Sequence, residues 1–182
     1  MSKNPVIWLT GMSGSGKTTL ANYLKDYLKT KDCEGVVIDG DSVRDLDKKK
    51  KIGFGVDDVL MNNTRIASLC EDKRRKYDFV LVPVISPYEE VRQKIRKILE
   101  PNFHLVYLKT DIDTLKERDT KGLYAAADKG IIDNLIGYSK INPYDEPINA
   151  EIVIETSNHT SINKSKELLF CYIDKLIFRR CT

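Results

Sequence analysis

Eight residues constrain this chain more than any others. Gly11-Met12-Ser13-Gly14-Ser15-Gly16-Lys17-Thr18 fits G-x-x-x-x-G-K-[ST] without a mismatch. Four fixed positions match by chance in well under ~1% of chains of this length. An apolar run, Val6–Thr10, precedes the motif, and Leu20, Leu24, Tyr27 and Leu28 come after it at helical spacing. The order strand, glycine turn, helix lets backbone N–H groups point at phosphate oxygens, and the helix start adds its positive dipole end. Gly11, Ser13, Gly14, Ser15, Gly16, Lys17, Thr18 and Thr19 are therefore the candidate triphosphate ligands. Lys17 is expected on the β/γ phosphates and the Thr18 hydroxyl on Mg²⁺.

The rest of the chain alternates strand-like and helical patterns, which predicts a parallel sheet with helices on both faces. Strands are expected at Val36–Ile38, Phe79–Ile85, Phe103–Leu108 and Ile152–Ile154. Helices are expected from Val56 to about Lys76, at Glu89–Leu99, and after Asp111 as far as Arg118. A closing helix carries Ile162, Leu169, Tyr172, Ile173, Leu176 and Ile177 on one face. At 182 residues, 41% of them hydrophobic, one domain is expected, with no need of a disulfide or metal staple. The stretch from about 119 to 147 lacks strong periodicity apart from a short helical piece near Tyr124–Asp128, and reads as a lid. Lys48 to Lys51 read as a solvated loop.

Thirty Lys and Arg nearly balance 27 Asp and Glu, which argues against a nucleic-acid partner. No apolar run reaches the length of a membrane span, and Val6–Leu9 is too short for a signal-peptide core. Cys33, Cys70, Cys171 and Cys181 form no C-x-x-C pair, so reduced thiols in a cytoplasmic protein are expected, without a zinc site.

No N-K-x-D guanine reader occurs, and Asp119-Thr120-Lys121-Gly122 comes after a helix instead of a strand, so a GTPase is set aside. A glycine-bearing late segment on a short chain fits a kinase whose lid excludes water. Asp39-Gly40-Asp41, followed by Arg44, stands at the carboxyl end of the second strand, the edge that faces ligand in open α/β sheets. A carboxylate there can hold Mg²⁺ or accept a hydroxyl proton, and Arg44 can neutralise an anionic acceptor.

With these residues the chain resembles the adenylylsulfate kinase family. The resemblance is carried by Trp8 through Thr19, Asp39-Gly40-Asp41 with Arg44, and Gly53-Phe54. It continues in Ile85-Ser86-Pro87-Tyr88, Arg118-Asp119 with Lys121-Gly122-Leu123-Tyr124, and Pro143-Tyr144 with Pro147. It implies a three-layer α/β P-loop nucleoside-kinase-like fold of about five parallel strands. It also implies transfer of the ATP γ-phosphate to a ribose 3′-hydroxyl. Asp39 and Asp41 would serve Mg²⁺ and the hydroxyl, with Asp39 as base. Arg44, Phe54, Asn62, Ile85, Lys121 and Leu123 would meet the acceptor, with Phe54 stacked on its base. Ser86, grouped with the catalytic residues, would position, and Arg118 and Thr156 would border the ATP adenine.

The family pattern breaks at several positions: Gly55 stands for a serine, Met61 replaces a glutamate, and three further changes bear on charge and stacking. Val59 replaces an arginine for the 5′ phosphosulfate, Glu89 replaces an arginine, and Leu135 replaces an aromatic that covers the acceptor base. These changes read as acceptor-side changes and favour a branch resembling this family that phosphorylates cytidine 5′-diphosphoramidate for capsular polysaccharide. Adenylylsulfate itself is the alternative acceptor, and a non-catalytic nucleotide-binding regulatory module is a second alternative. The oligomeric state is left open, a homodimer included.

Overall fold

A computed structural model describes residues 3–45 and 53–181. The Lys48–Lys51 run lies outside the described residues. Five parallel strands form one sheet: β1 (Val6–Thr10), β2 (Gly35–Val37), β3 (Phe79–Pro83), β4 (Phe103–Lys109) and β5 (Ile152–Glu155), in the order β2-β3-β1-β4-β5. The helices are α1 (Lys17–Lys29), α2 (Gly40–Asp45), α3 (Val56–Lys73), α4 (Glu89–Leu99), α5 (Ile112–Arg118), α6 (Leu123–Asp128) and α7 (Ile162–Cys181). The α/β architecture expected from the sequence, five parallel strands with helices on both faces, is the one observed.

Side-chain alternation along β1 assigns the layers. Val6 and Trp8 enter a core with Ile66 of α3 and Ile95 of α4. Ile7 and Leu9 point the other way, into a core with Leu20 and Leu24 of α1 and Ile173 of α7. β1 and β3 are buried throughout, which is why their sequences are continuous apolar runs instead of alternating ones.

Element ends differ from the sequence expectation where side chains intervene. β3 ends at Pro83, not at Ile85, and residues 84–88 form a loop in which Ser86 takes a left-handed conformation, φ 43°. β2 spans Gly35–Val37, one residue earlier than expected. α3 stops at Lys73, short of Lys76, because Arg74 turns inward and donates to the carbonyls of Asn4, Leu99 and Pro101. Asp111 caps α5 as its position suggests, accepting from the Thr114 N–H.

All strands being parallel, their carboxyl ends open on one edge. The turns after β1, β2 and β3 meet there. Residues 119–147 pack over the first of these turns: Tyr124 donates to the Ser13 carbonyl at 2.8 Å, and Leu115, Tyr124 and Leu135 form a small third core. Gly137 lies so close to Met12 that a β-carbon would stand 2.7 Å from its terminal methyl.

The orientation of α4 can be tested by a pair of truncations. Ile95 is fully buried, whereas Ile98 on the same helix is 43% exposed. Ile95→Ala should cost about 2–5 kcal/mol in urea unfolding, and Ile98→Ala less than about 0.5 kcal/mol. Equal losses would contradict this packing.

Candidate active site

The turn after β1 is built around glycine. Gly11 has φ 149°, and a β-carbon on it would lie 2.7 Å from both the Leu108 carbonyl oxygen and Ser15 Oγ. Gly16, left-handed at φ 93°, is the N-cap of α1. The Lys17 ammonium folds back over this loop and donates to the Met12 carbonyl at 2.7 Å. Desolvation lowers its pKa to about 7, opposed by Asp41 and Asp39 and assisted by Lys121. Ser13, Gly14, Ser15, Gly16, Lys17, Thr18 and Thr19 line a cavity of about 940 Å³. Gly11 is not on its wall. In this structure it makes the close approach to β4.

Asp39 and Asp41 border the same cavity. They open a short helix, α2. Asp39 Oδ1 accepts from the Asp41 and Ser42 N–H groups at 2.9 and 3.2 Å, capping α2. Asp41 Oδ2 accepts from Lys121 Nζ at 2.7 Å, tying the acidic helix start to residues 119–147. Both partners are exposed, so the pair is worth at most about 1 kcal/mol and opens easily.

Beyond Asp41 the wall carries Arg44, Phe54, Val59, Asn62, Ile85 and Ser86. The Arg44 guanidinium lies 4.7 Å from the Phe54 ring centre and donates to the Gly53 carbonyl at 3.1 Å. One face of the aromatic that the sequence assigned to base stacking is thus covered by the residue assigned to the acceptor's charge. Asn62 is buried, and its Oδ1 has no hydrogen-bond partner among the described residues. Ser86 Oγ accepts from Asn63 Nδ2 at 2.7 Å, and the Ile85 carbonyl accepts from Thr10 Oγ1. Lys121 and Leu123 line the cavity on the other side.

At the far end Arg118 donates to the Thr156 carbonyl at 2.7 Å, and Thr156 Oγ1 donates to the Ser15 carbonyl. Both residues line the cavity. Every residue that the sequence assigned to ATP, to the acceptor or to catalysis, Gly11 excepted, therefore borders one space.

Three of the departures from the family pattern, Val59, Leu135 and Glu89, fall in different places. Val59 is buried in the α3–α4 core and reaches the cavity wall, and so does Leu135 from the third core. Glu89 is not on the wall. Its carboxylate accepts from Arg92 and Gln93. Sequence reading did not single out Asn63, which lines the cavity, or Arg92, which donates to the Ser86 carbonyl. A Glu–Arg pair three residues apart at a helix start was the available signal for Arg92.

Lys17 generates a prediction with a definite sign. Its proton is largely lost from the free protein above pH 7, and an incoming polyphosphate favours the charged form. Triphosphate binding at about pH 8 should take up close to one proton, and at about pH 5.5 close to none. Calorimetry in two buffers of different ionisation enthalpy reads this directly, and Lys17→Ala should abolish the uptake. Equal uptake by that variant would assign the proton elsewhere.

The family profile described as Adenylylsulphate kinase matches residues 3–155. A protein of Bacillus pumilus named adenylyl-sulfate kinase is 38% identical over 172 residues, 94% of this chain and 85% of that one. One of Thermodesulfovibrio yellowstonii with the same name is 37% identical over 175 residues, covering 96% and 86%. Among solved structures, the Mycobacterium tuberculosis APS kinase in complex with AMPPNP and APS superposes with a TM-score of 0.81. It is 29% identical, and the match covers 96% of this chain and 99% of that one. A shikimate kinase from Acinetobacter baumannii, 18% identical with a TM-score of 0.58, shares the fold. No helix among the described residues is long and apolar enough to cross a membrane. The chain belongs to the adenylylsulphate kinase family, a family of phosphotransferases with a hydroxyl acceptor.

Proposed function

We propose that this protein transfers the γ-phosphate of ATP to the ribose 3′-hydroxyl of a nucleotide whose 5′-phosphate carries a further acidic group. The observation that carries the reading is the shared cavity: Lys17, Asp39, Asp41 and the wall with Arg44 and Phe54 all border it. The phosphate loop would cradle ATP, with the base near Arg118 and Thr156. Lys17 would leave the Met12 carbonyl and stabilise charge on the transferring group. The acceptor's 3′-oxygen attacks the γ-phosphorus as the bond to the β-phosphate oxygen breaks, and ADP leaves. Asp39, with one oxygen held as a helix cap, would take the hydroxyl proton on the other.

The donor set suits Mg²⁺ carried in with the triphosphate. Thr18, Asp39 and Asp41 are hard oxygen donors on the cavity wall, and the described residues hold no cluster of three or more His, Cys, Asp or Glu that would cage a metal alone. Bound there, Mg²⁺ would neutralise charge between the β- and γ-phosphates. Residues 119–147 would act as a lid, closing through Lys121 and Leu123 and excluding water that would otherwise hydrolyse ATP.

Adenylylsulfate is the acceptor that the relatives' names support. A specific observation favours a second one. Where the family pattern has an arginine and an aromatic, Val59 and Leu135 present an apolar wall. That wall offers no fork for a sulfate and no second ring for a purine, and suits a smaller base bearing an amidated phosphate, as in cytidine 5′-diphosphoramidate.

Single-turnover transfer from labelled ATP to each nucleotide tests both readings. Transfer to at least one is expected, with a loss of at least ~100-fold in Lys17→Ala at unchanged melting temperature. A preference of at least ~10-fold for the cytidine acceptor, reversed by Val59→Arg with Leu135→Phe, would select the second reading. A preference for adenylylsulfate would select the first. Transfer to neither would overturn the function proposed.

A further inference from the structure

A buried cation holds the loop that follows β3. Arg92, on α4, is 1% exposed. Its Nη1 donates to the Ser86 carbonyl at 2.8 Å, and its Nη2 donates to the Asp145 carbonyl at 2.7 Å. Nε and Nη2 both donate to Glu89 Oε2, so the buried charge is neutralised on the spot. The guanidinium lies 5.7 Å from the ring centre of Tyr144, and the Tyr144 hydroxyl is 3.0 Å from Thr10 Oγ1, which donates to the Ile85 carbonyl.

These bonds join two segments that the sheet does not connect. Residues 84–88 carry Ile85 and Ser86 on the cavity wall, and residues 143–147 end the segment that packs over the phosphate loop. Their backbones also meet directly: the Asp145 N–H donates to the Pro87 carbonyl at 2.9 Å, and Asp145 Oδ2 accepts from the Glu89 N–H. Ser86 stands at φ 43°, a conformation that a residue with a side chain keeps only where its surroundings enforce it. The enforcing contacts include Asn63 on its hydroxyl and Arg92 on its carbonyl.

We propose that Arg92 is a positioning residue of the acceptor site. Its planar fork fixes the strained Ile85–Ser86 loop to residues 143–147, so that acceptor affinity depends on it and ATP affinity does not. This rests on reading that wall as the acceptor's. A lysine keeps the charge beside Glu89 but cannot reach both carbonyls and the carboxylate in one plane.

The test compares wild type with Arg92→Lys, and with Arg92→Met if that variant folds. Acceptor and ATP dissociation constants are measured by calorimetry, using adenylylsulfate and cytidine 5′-diphosphoramidate on the ADP complex. Hydrogen exchange of residues 84–88 is monitored in the free protein. Arg92→Lys should weaken acceptor binding at least ~10-fold and ATP binding less than ~2-fold, and should speed exchange at 84–88 by at least ~10-fold. Unchanged exchange at 84–88 overturns the proposal whatever the acceptor, and so does an equal loss of both affinities. Wild-type protein that binds neither nucleotide overturns the functional reading and the acceptor half of this one. The exchange measurement then still decides whether Arg92 locks the loop.

Discussion

The backbone leaving β1 has to turn in a space that admits no β-carbon. Residue 11 passes so close to the Leu108 carbonyl and to Ser15 that only glycine fits, and the whole phosphate loop depends on that passage. It brings Ser13 to Gly16 round in a tight loop and starts α1 at Lys17, with the helix's N-terminal dipole directed at the cavity. It also fixes where the first turn can be covered, through Tyr124 on the Ser13 carbonyl and Gly137 against Met12. The phosphate loop is thus clamped from below by the sheet and from above by residues 119–147.

Burial of polar groups is concentrated around the same sheet. Arg74 and Arg92 are both nearly inaccessible, and each spends donors on carbonyls outside its own helix, one at least 25 residues away in sequence. Such a group is costly to bury alone and costly to remove once its partners depend on it. Arg74 secures the end of α3 against the start of β4, away from the cavity. Arg92 performs the equivalent task beside Ile85 and Ser86. Lys17 differs from both: its one short bond is to a carbonyl of its own loop, and desolvation holds its pKa near neutrality, so it is ready to change partners.

Much of this was legible in the residues. Continuous apolar runs marked β1 and β3 because both faces of those strands are covered, and the glycine–lysine motif located the site because backbone geometry there tolerates few sequences. What failed to show was tertiary. The end of β3 at Pro83 comes from the strained loop beyond it, which no local pattern encodes. Arg92 sits in a helix rich in charge, where the ordinary expectation is a solvated side chain. Its burial depends on Asp145, 53 residues away. Glu89 is the opposite case, since its partners Arg92 and Gln93 lie on its own helix, within reach of a local reading. Residues 119–147 lack periodicity because they pack on the site through a few side chains instead of along a face.

A cavity that directs phosphate to a ribose 3′-oxygen must leave its signature in the product. Phosphorus and proton magnetic resonance of the material formed from Mg²⁺–ATP and a nucleotide acceptor reads that signature. One new phosphomonoester should appear per ADP released, its phosphorus coupled to the ribose proton on carbon 3′. ADP formed with inorganic phosphate and no phosphorylated acceptor, or phosphate on another oxygen, would contradict the proposed chemistry.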